Sequence, residues 1–282
     1  MTNKIGFMQG RLSPLVDGKI QAFPWDTWQQ EFPAAQALGL GLMEWTLDQD
    51  RLYQNPLLTP QGQQEIRRLC QVHRLAIPSL TGDCFMQAPF WKASGQDRVA
   101  LEADFIAIAH ACAEVGIEMI VVPLVDNGRL ENEQQEDSLL AFMLAQADLF
   151  RVLGLRIIFE SDFAPAELAR FIGRLPADAF GVNYDIGNSA ALGYKPEEEF
   201  AAYGTRVLNV HVKDRVFGGT TVPLTKGAAD FDAVFFALAQ KNYRGNVILQ
   251  TARAAEGNHA EVLRSYRDMT QQWMQQYGLA DI

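Results

Sequence analysis

Ile157-Ile158-Phe159-Glu160, Val182-Asn183-Tyr184-Asp185, Leu208-Asn209-Val210-His211 and Val247-Ile248-Leu249-Gln250 each run through apolar, β-prone residues and stop at a side chain with a metal-capable atom. Short apolar runs of this kind read as strands buried on both faces. Their terminal residues meet only if the four strands are parallel neighbours with their C-terminal ends on one side. The order carboxylate, carboxylate, imidazole, amide therefore bears on the fold before it bears on chemistry.

The same alternation extends outward to both ends of the chain. Strand-like segments are Lys4 to Gln9, Gly41 to Thr46, Leu75 to Thr81, Met119 to Pro123, Leu155 to Glu160, Phe180 to Asp185, Val207 to Lys213 and Val247 to Gln250. A helix-like segment follows each: Trp25 to Leu38, Thr59 to His73, Gln96 to Val115, Glu133 to Leu153, Pro165 to Arg174, Pro196 to Tyr203, Phe231 to Gln240 and His259 to Gln276. Thr59-Pro60 has the form of a helix start, with proline in the first turn. Gly39, Gly116, Gly154 and Gly245 stand where a helix end needs a left-handed residue. Strands alternating with helices imply a parallel sheet. Eight such units in 282 residues predict an α/β fold, a single-domain (β/α)8 TIM barrel over residues 1–282. No Gly-x-Gly-x-x-Gly turn follows the first strand, which counts against an open nucleotide-binding sheet. The longest βα loops, Gly10 to Pro24, Gly82 to Gly95 and Asp214 to Asp230, then share the C-terminal face where barrels carry their sites.

Hydrophobic residues make up 48% of the chain and charged residues 21%, the balance of a globular protein with a large core. The net charge of −10 disfavours nucleic acid and anionic membrane as partners, because phosphate binding needs clustered Lys and Arg. Cys70, Cys84 and Cys112 form no Cys-x-x-Cys pair, so a reducing cytoplasm is expected rather than a disulfide framework. The first residues lack the apolar core of a signal peptide, and no apolar run reaches membrane-spanning length.

Side chains alternate between the two faces of a strand, so Glu160 groups with Ile158, Asp185 with Asn183, His211 with Asn209 and Lys213, and Gln250 with Ile248. Polar groups buried in apolar strands are costly unless paired or metal-bound. Taken singly, a strand-end carboxylate is most often a helix cap, and a buried histidine a hydrogen-bonded core residue. Jointly, Glu160, Asp185, His211 and Gln250 call for one divalent cation. Three oxygens and a nitrogen suit Mn, Mg or Co, with Zn also compatible.

At this point the chain resembles the xylose-isomerase-like TIM-barrel superfamily. The resemblance is carried by Gly6-Phe7-Met8-Gln9-Gly10-Arg11-Leu12-Ser13-Pro14, by Asp185-Ile186-Gly187-Asn188 and by Asn209-Val210-His211-Val212-Lys213-Asp214-Arg215. It covers nearly the whole chain, and the first motif is similar to the opening of a branch of sugar phosphate isomerases or epimerases. It implies that Glu160, Asp185 and His211 hold the metal. It also implies a fourth ligand that is usually Glu and is here Gln250. In the ketose epimerases of this superfamily the first and last ligands also work as an acid–base pair, and an amide takes no proton. Asn188 stands where relatives commonly carry His.

The expected function is therefore a divalent-metal-dependent isomerase or epimerase that acts on a sugar or sugar phosphate through an enediolate. Glu160 is the candidate base, and Glu44 or Lys213 the candidate for the returning proton. Arg11, Asn188, Arg215 and Arg253 are candidates for substrate binding, with Lys226 a further cation, and Trp25, Trp45, Phe85 and Trp91 are candidates for apolar walls. Asp214 is expected to order its own loop. Two other readings stand beside this one: a dehydratase of the inosose type, and a sugar-binding barrel weakened by Gln250. An apurinic-site endonuclease would need many histidines, and only His73, His110, His211 and His259 are present. The partner is a small carbohydrate, and a homo-oligomer is left open.

Overall fold

Residues 5–279 are described by the computed structural model, so Lys4, expected to open the first strand, lies outside the described residues. Eight parallel strands close into one barrel: β1 (Ile5–Met8), β2 (Leu42–Thr46), β3 (Ala76–Thr81), β4 (Met119–Leu124), β5 (Arg156–Ser161), β6 (Phe180–Asp185), β7 (Val207–Val212) and β8 (Asn246–Leu249). Each strand pairs with its sequence neighbours, and β1 pairs with β8 through Ile5 opposite Val247 to shut the ring. The expected single-domain (β/α)8 barrel is what forms.

The outer ring holds α1 (Glu31–Ala37), α2 (Pro60–His73), α4 (Gly95–Val115), α5 (Glu133–Val152), α6 (Pro165–Gly173), α8 (Pro196–Tyr203), α9 (Phe231–Gln240) and α10 (His259–Gln276). Local chemistry sets their ends. Thr59 Oγ1 accepts from Gly62 N at 3.1 Å and Pro60 opens α2, as the sequence predicts. Gly116 takes φ 83° to end α4. Gly245 does not repeat that role; Asn242, at φ 51°, takes the left-handed position after α9. Gly245 answers a steric demand instead, because a Cβ there would stand 2.3 Å from the Leu208 carbonyl oxygen.

Apart from short 3-10 turns, three elements among the described residues were not anticipated. α3 (Asp83–Gln87) follows β3, α7 (Ile186–Leu192) follows β6, and a two-stranded antiparallel ribbon pairs Asp214–Arg215 with Thr221–Val222. All three lie in loops on the C-terminal face.

The main core lies between strands and helices and is rich in aromatic rings. Phe105 of α4 packs against Phe85 at 4.5 Å, Phe142 at 5.4 Å and Phe150 at 5.9 Å between ring centroids. Phe159 of β5 meets Phe171 of α6 edge-on at 5.2 Å. Each such ring contributes about 1.5–3 kcal/mol by burial alone. The lumen is different. A small apolar cluster of Met119, Val121 and Ile158, with Leu208 against it, fills part of the interior. The remainder is lined by buried polar side chains, among them Glu44, Ser79, Thr81, Asn183, Asn209 and His211. Among the described residues no helix is long and apolar enough to cross a membrane, and Cys70, Cys84 and Cys112 are all free thiols.

Candidate metal centre and cavity

Glu160 near the end of β5, Asp185 at the end of β6 and His211 in β7 point to one place. They are all buried, and one ligand atom from each lies within 4.8 Å of the others. Adjacent parallel strands sit about 4.8 Å apart, so consecutive strand ends bring the three groups together without any loop having to fold over.

The hydrogen bonds fix how each group is presented. His211 Nε2 lies 2.7 Å from Glu44 Oε1. Glu44 can only accept, so the imidazole donates there and its Nδ1 is turned toward the cluster, 3.1 Å from Glu160 Oε2. Glu160 accepts from Asn183 Nδ2 at 2.8 Å and from Asn188 Nδ2 at 2.7 Å, one amide on each oxygen. Asp185 Oδ1 accepts from Asn188 N at 2.8 Å and so caps α7, while Oδ2 receives Lys213 Nζ at 3.1 Å. The helix-cap role and the ligand position thus coincide in one side chain.

Beneath this layer Glu44 is fully buried and fully engaged. It accepts from Ser79 Oγ at 2.6 Å, from Asn209 Nδ2 at 2.9 Å and from Thr81 Oγ1. Burial works to raise its pKa, yet the His211 charge and these donors bring it below the ordinary carboxylate value. The complementary effect falls on His211. Burial opposes its charge, but Glu44 and Glu160 outweigh that and push its pKa up to about 10. An imidazole between two carboxylates attracts positive charge, and a divalent cation can supply that charge in place of the proton. Metal–ligand bonds of about 2.0–2.3 Å hold ligand atoms roughly 3–4.5 Å apart, so the three groups fit a cation with little adjustment.

Above the cluster opens a cavity of about 670 Å³ whose lining includes Glu160, Asn188, Lys213, Arg215 and Gln250. Gln250 is oriented by two contacts: Nε2 donates to Gln21 Oε1 at 2.9 Å, and Oε1 faces Lys213 Nζ at 3.4 Å. Its oxygen therefore looks toward Lys213 and Asp185. Arg215 donates to Asn188 Oδ1 at 2.8 Å and to the Gly219 carbonyl, which braces the residue that holds Glu160.

Other expected site residues stand elsewhere. Arg11 donates to the Thr251 and Ile20 carbonyls at 2.9 and 3.0 Å. Arg253 donates to the Gly10 and Ser13 carbonyls. Neither lines the cavity; both guanidinium groups clasp the first βα loop to the end of β8. Glu44 points into the barrel as expected but lies below His211, outside the cavity lining. Lys226 is exposed and also outside the lining. Trp25, Trp45, Phe85 and Trp91 do not wall the cavity, because their rings pack into the surrounding core; apolar lining comes from Ile20, Met86, Val125 and Leu192 instead. Asp214 orders its loop, accepting from Gly227 N at 2.8 Å and Ala229 N at 3.1 Å.

Sequence reasoning did not single out Asp83 or Gln21. Asp83, the first residue of α3, is buried, lines the cavity and accepts from Gln21 Nε2 at 2.7 Å. The available signal was a carboxylate one residue past a strand-end glycine, at Gly82-Asp83.

Solved structures share this architecture. A zinc-bound IOLI protein aligns with a TM-score of 0.77 at 16% identity, covering 97% of this chain and 99% of that one. The D-psicose 3-epimerase of Clostridium cellulolyticum H10, solved with D-tagatose, gives 0.75 at 12% identity over 96% of this chain and 99% of that one. The 3-keto-D-glucoside 4-epimerase YcjR of E. coli gives 0.70 at 17% identity over 96% and 99%. At these identities the likeness is one of fold. No curated protein matches the chain in sequence. The sequence profile of the xylose isomerase-like TIM barrel matches residues 32–269. The chain, with its closed barrel and strand-end cluster, belongs to the xylose isomerase-like TIM-barrel family.

Proposed function

We propose that the protein is a divalent-metal-dependent isomerase or epimerase acting on a sugar at the carbon next to its carbonyl. The observation that carries this reading is the convergence of Glu160, Asp185 and His211 below a cavity of about 670 Å³ with mixed polar and apolar walls, large enough for a monosaccharide. The names of the aligned structures, two of them sugar epimerases, agree with it.

Glu160, Asp185, His211 and the Gln250 oxygen would hold the cation. When bound, it would polarise the sugar carbonyl and its neighbouring hydroxyl, making the adjacent C–H more acidic. Glu160 is the proposed base. The Asn183 and Asn188 amides hold its carboxylate in one orientation, so little reorganisation is needed when it takes a proton. Lys213, whose Nζ faces Asp185 and the Gln250 oxygen, is proposed to stabilise negative charge on a substrate oxygen. Glu44 is proposed as a positioning residue, because its contact with Nε2 fixes the tautomer that leaves Nδ1 available. Asn188 and Arg215 would meet substrate hydroxyls at the rim. The location is expected to be cytoplasmic, with a small carbohydrate as partner.

The test is solvent deuterium uptake. Protein loaded with Mn²⁺ and offered free ketohexoses and their phosphates in D₂O should place deuterium at one carbon of at least one sugar. No uptake into any of them, with metal bound, would overturn the assignment. A dehydratase shares the proton removal and is distinguished by loss of one water in the product mass. A sugar-binding barrel weakened by Gln250 predicts that Gln250→Glu raises turnover from a background level.

A further inference from the structure

Gln250 leaves the proposed reaction one proton carrier short, and a second carboxyl stands in the same cavity. We propose that Asp83 is the catalytic residue that delivers a proton to the substrate carbon on the face opposite Glu160. This inference rests on the reading above and assigns its missing group.

Three observations carry it. First, in the closed strand order β3 lies two strands from β5 and four from β7, so Asp83, two residues past the end of β3, rises from a different wall of the mouth than Glu160 and stands across it from His211. The cation ligands rise from β5, β6 and β7, and a substrate resting on them would be reached by Asp83 from another side. Second, Asp83 is only 8% exposed, yet it lines the cavity. One carboxylate oxygen accepts from Gln21 Nε2 at 2.7 Å, and no hydrogen bond from the described residues reaches the other. Third, Gln21 accepts in turn from Gln250 Nε2 at 2.9 Å. The amide that replaces a carboxylate is thus used to orient another carboxyl through a single intermediary.

Of the other acids in and below the cavity, Asp126 is exposed to solvent, unlike the buried Asp83, and the rest are committed elsewhere. Glu44 is sealed under His211, and Asp162 pairs with Arg129 at 2.5 Å. The charged groups that act on Asp83 include Asp48 and Glu160, which favour its protonated form, and Lys213 and Arg11, which oppose it. Burial is the largest influence and pushes its pKa up to about 7, where a carboxyl can both give and take a proton.

The step balances. The Glu160 carboxylate takes the proton from the carbon beside the carbonyl, and the C–H electron pair becomes the enediolate double bond. Asp83, as the acid, gives its proton to the opposite face of that carbon. A new C–H bond forms and Asp83 is left as a carboxylate. Exchange with solvent returns Glu160 to its charged form and Asp83 to its protonated form, with no oxidant or reductant involved.

The experiment separates deuterium exchange from product formation. Wild type and Asp83→Asn are loaded with Mn²⁺ and given, in D₂O, the ketose that exchanges fastest with wild type. Asp83→Asn should keep deuterium uptake within about fivefold while epimer formation falls by roughly 100-fold or more. Asp83→Ser, smaller and unable to carry the proton, provides the same measurement if the asparagine variant misfolds. Unchanged epimer formation would overturn the inference and leave the reading above intact. Parallel loss of exchange and product in a folded, metal-loaded variant would also overturn it, since that marks a structural role. Failure of wild type to exchange at all would overturn both.

Discussion

The shell between strands and helices and the lumen inside the strands are built from opposite materials. The shell is a continuous apolar core of interlocking rings such as Phe105, Phe150 and Phe159. The lumen holds one small apolar cluster and, beside it, Glu44, Asn183, Asn209, His211 and Glu160 joined by hydrogen bonds. Burial of rings stabilises without specifying charge. A buried polar network stabilises little on balance but sets where charge can stand. Stability should therefore reside mainly in the shell and chemistry in the lumen, and substitutions can test that division.

The largest effect is expected in the lumen. Glu160→Gln should lower deuterium exchange by about 10³-fold or more while costing only about 1–3 kcal/mol of stability, since the amide keeps the volume but turns one donor toward Asn183 or Asn188. A shell substitution should do the reverse. Phe159→Ala removes a fully buried ring and should cost about 3–5 kcal/mol in denaturant unfolding, with metal still bound in the folded fraction. Comparable losses of stability in both variants would break the division.

The next effect is a pH dependence. Asp83 has a folded-state pKa raised from 3.8 to about 7, chiefly by burial. The folded state therefore holds its proton more tightly than the unfolded state. The associated stability is complete below about pH 4 and is lost as pH rises through 7. In metal-free protein, Asp83→Asn should remove this slope and be the more stable of the two at pH 8, by an amount on the order of a few kcal/mol. Equal slopes for both proteins between pH 4 and 8 would refute the assignment of that titration to Asp83. The smallest effect concerns Glu44. Glu44→Gln should weaken metal affinity about 10–100-fold through loss of the negative charge against His211 Nε2, measured by competition with a chelator. An unchanged affinity would return Glu44 to the role of filler.

Much of this was legible in the chain. Glu160, Asp185 and His211 could be read because each closes an apolar run in consecutive βα units, and parallel pairing then fixes their meeting. Glu44 also closes such a run, but its height in the barrel could not be read. Following paired neighbours from Glu44 through Ser79 and Met119 leads to Arg156, four residues before Glu160. That stagger is a property of ring closure and not of any one strand. Arg11 and Arg253 misled for a related reason. Their targets are carbonyls brought close only when the first and last units meet. Asp83 escaped notice because its surroundings depend on the loop after β1 reaching over to bring Gln21 beside it.

The clasp made by Arg11 and Arg253 has a consequence for the birth of the protein. Its partners are separated by about 240 positions, at Thr251 for Arg11 and at Gly10 and Ser13 for Arg253. In a nascent chain still lacking its final strand, neither the Gln21–Gln250 contact nor the closing clasp could exist. The pocket is thus finished last, when the final strand pairs with both β1 and β7.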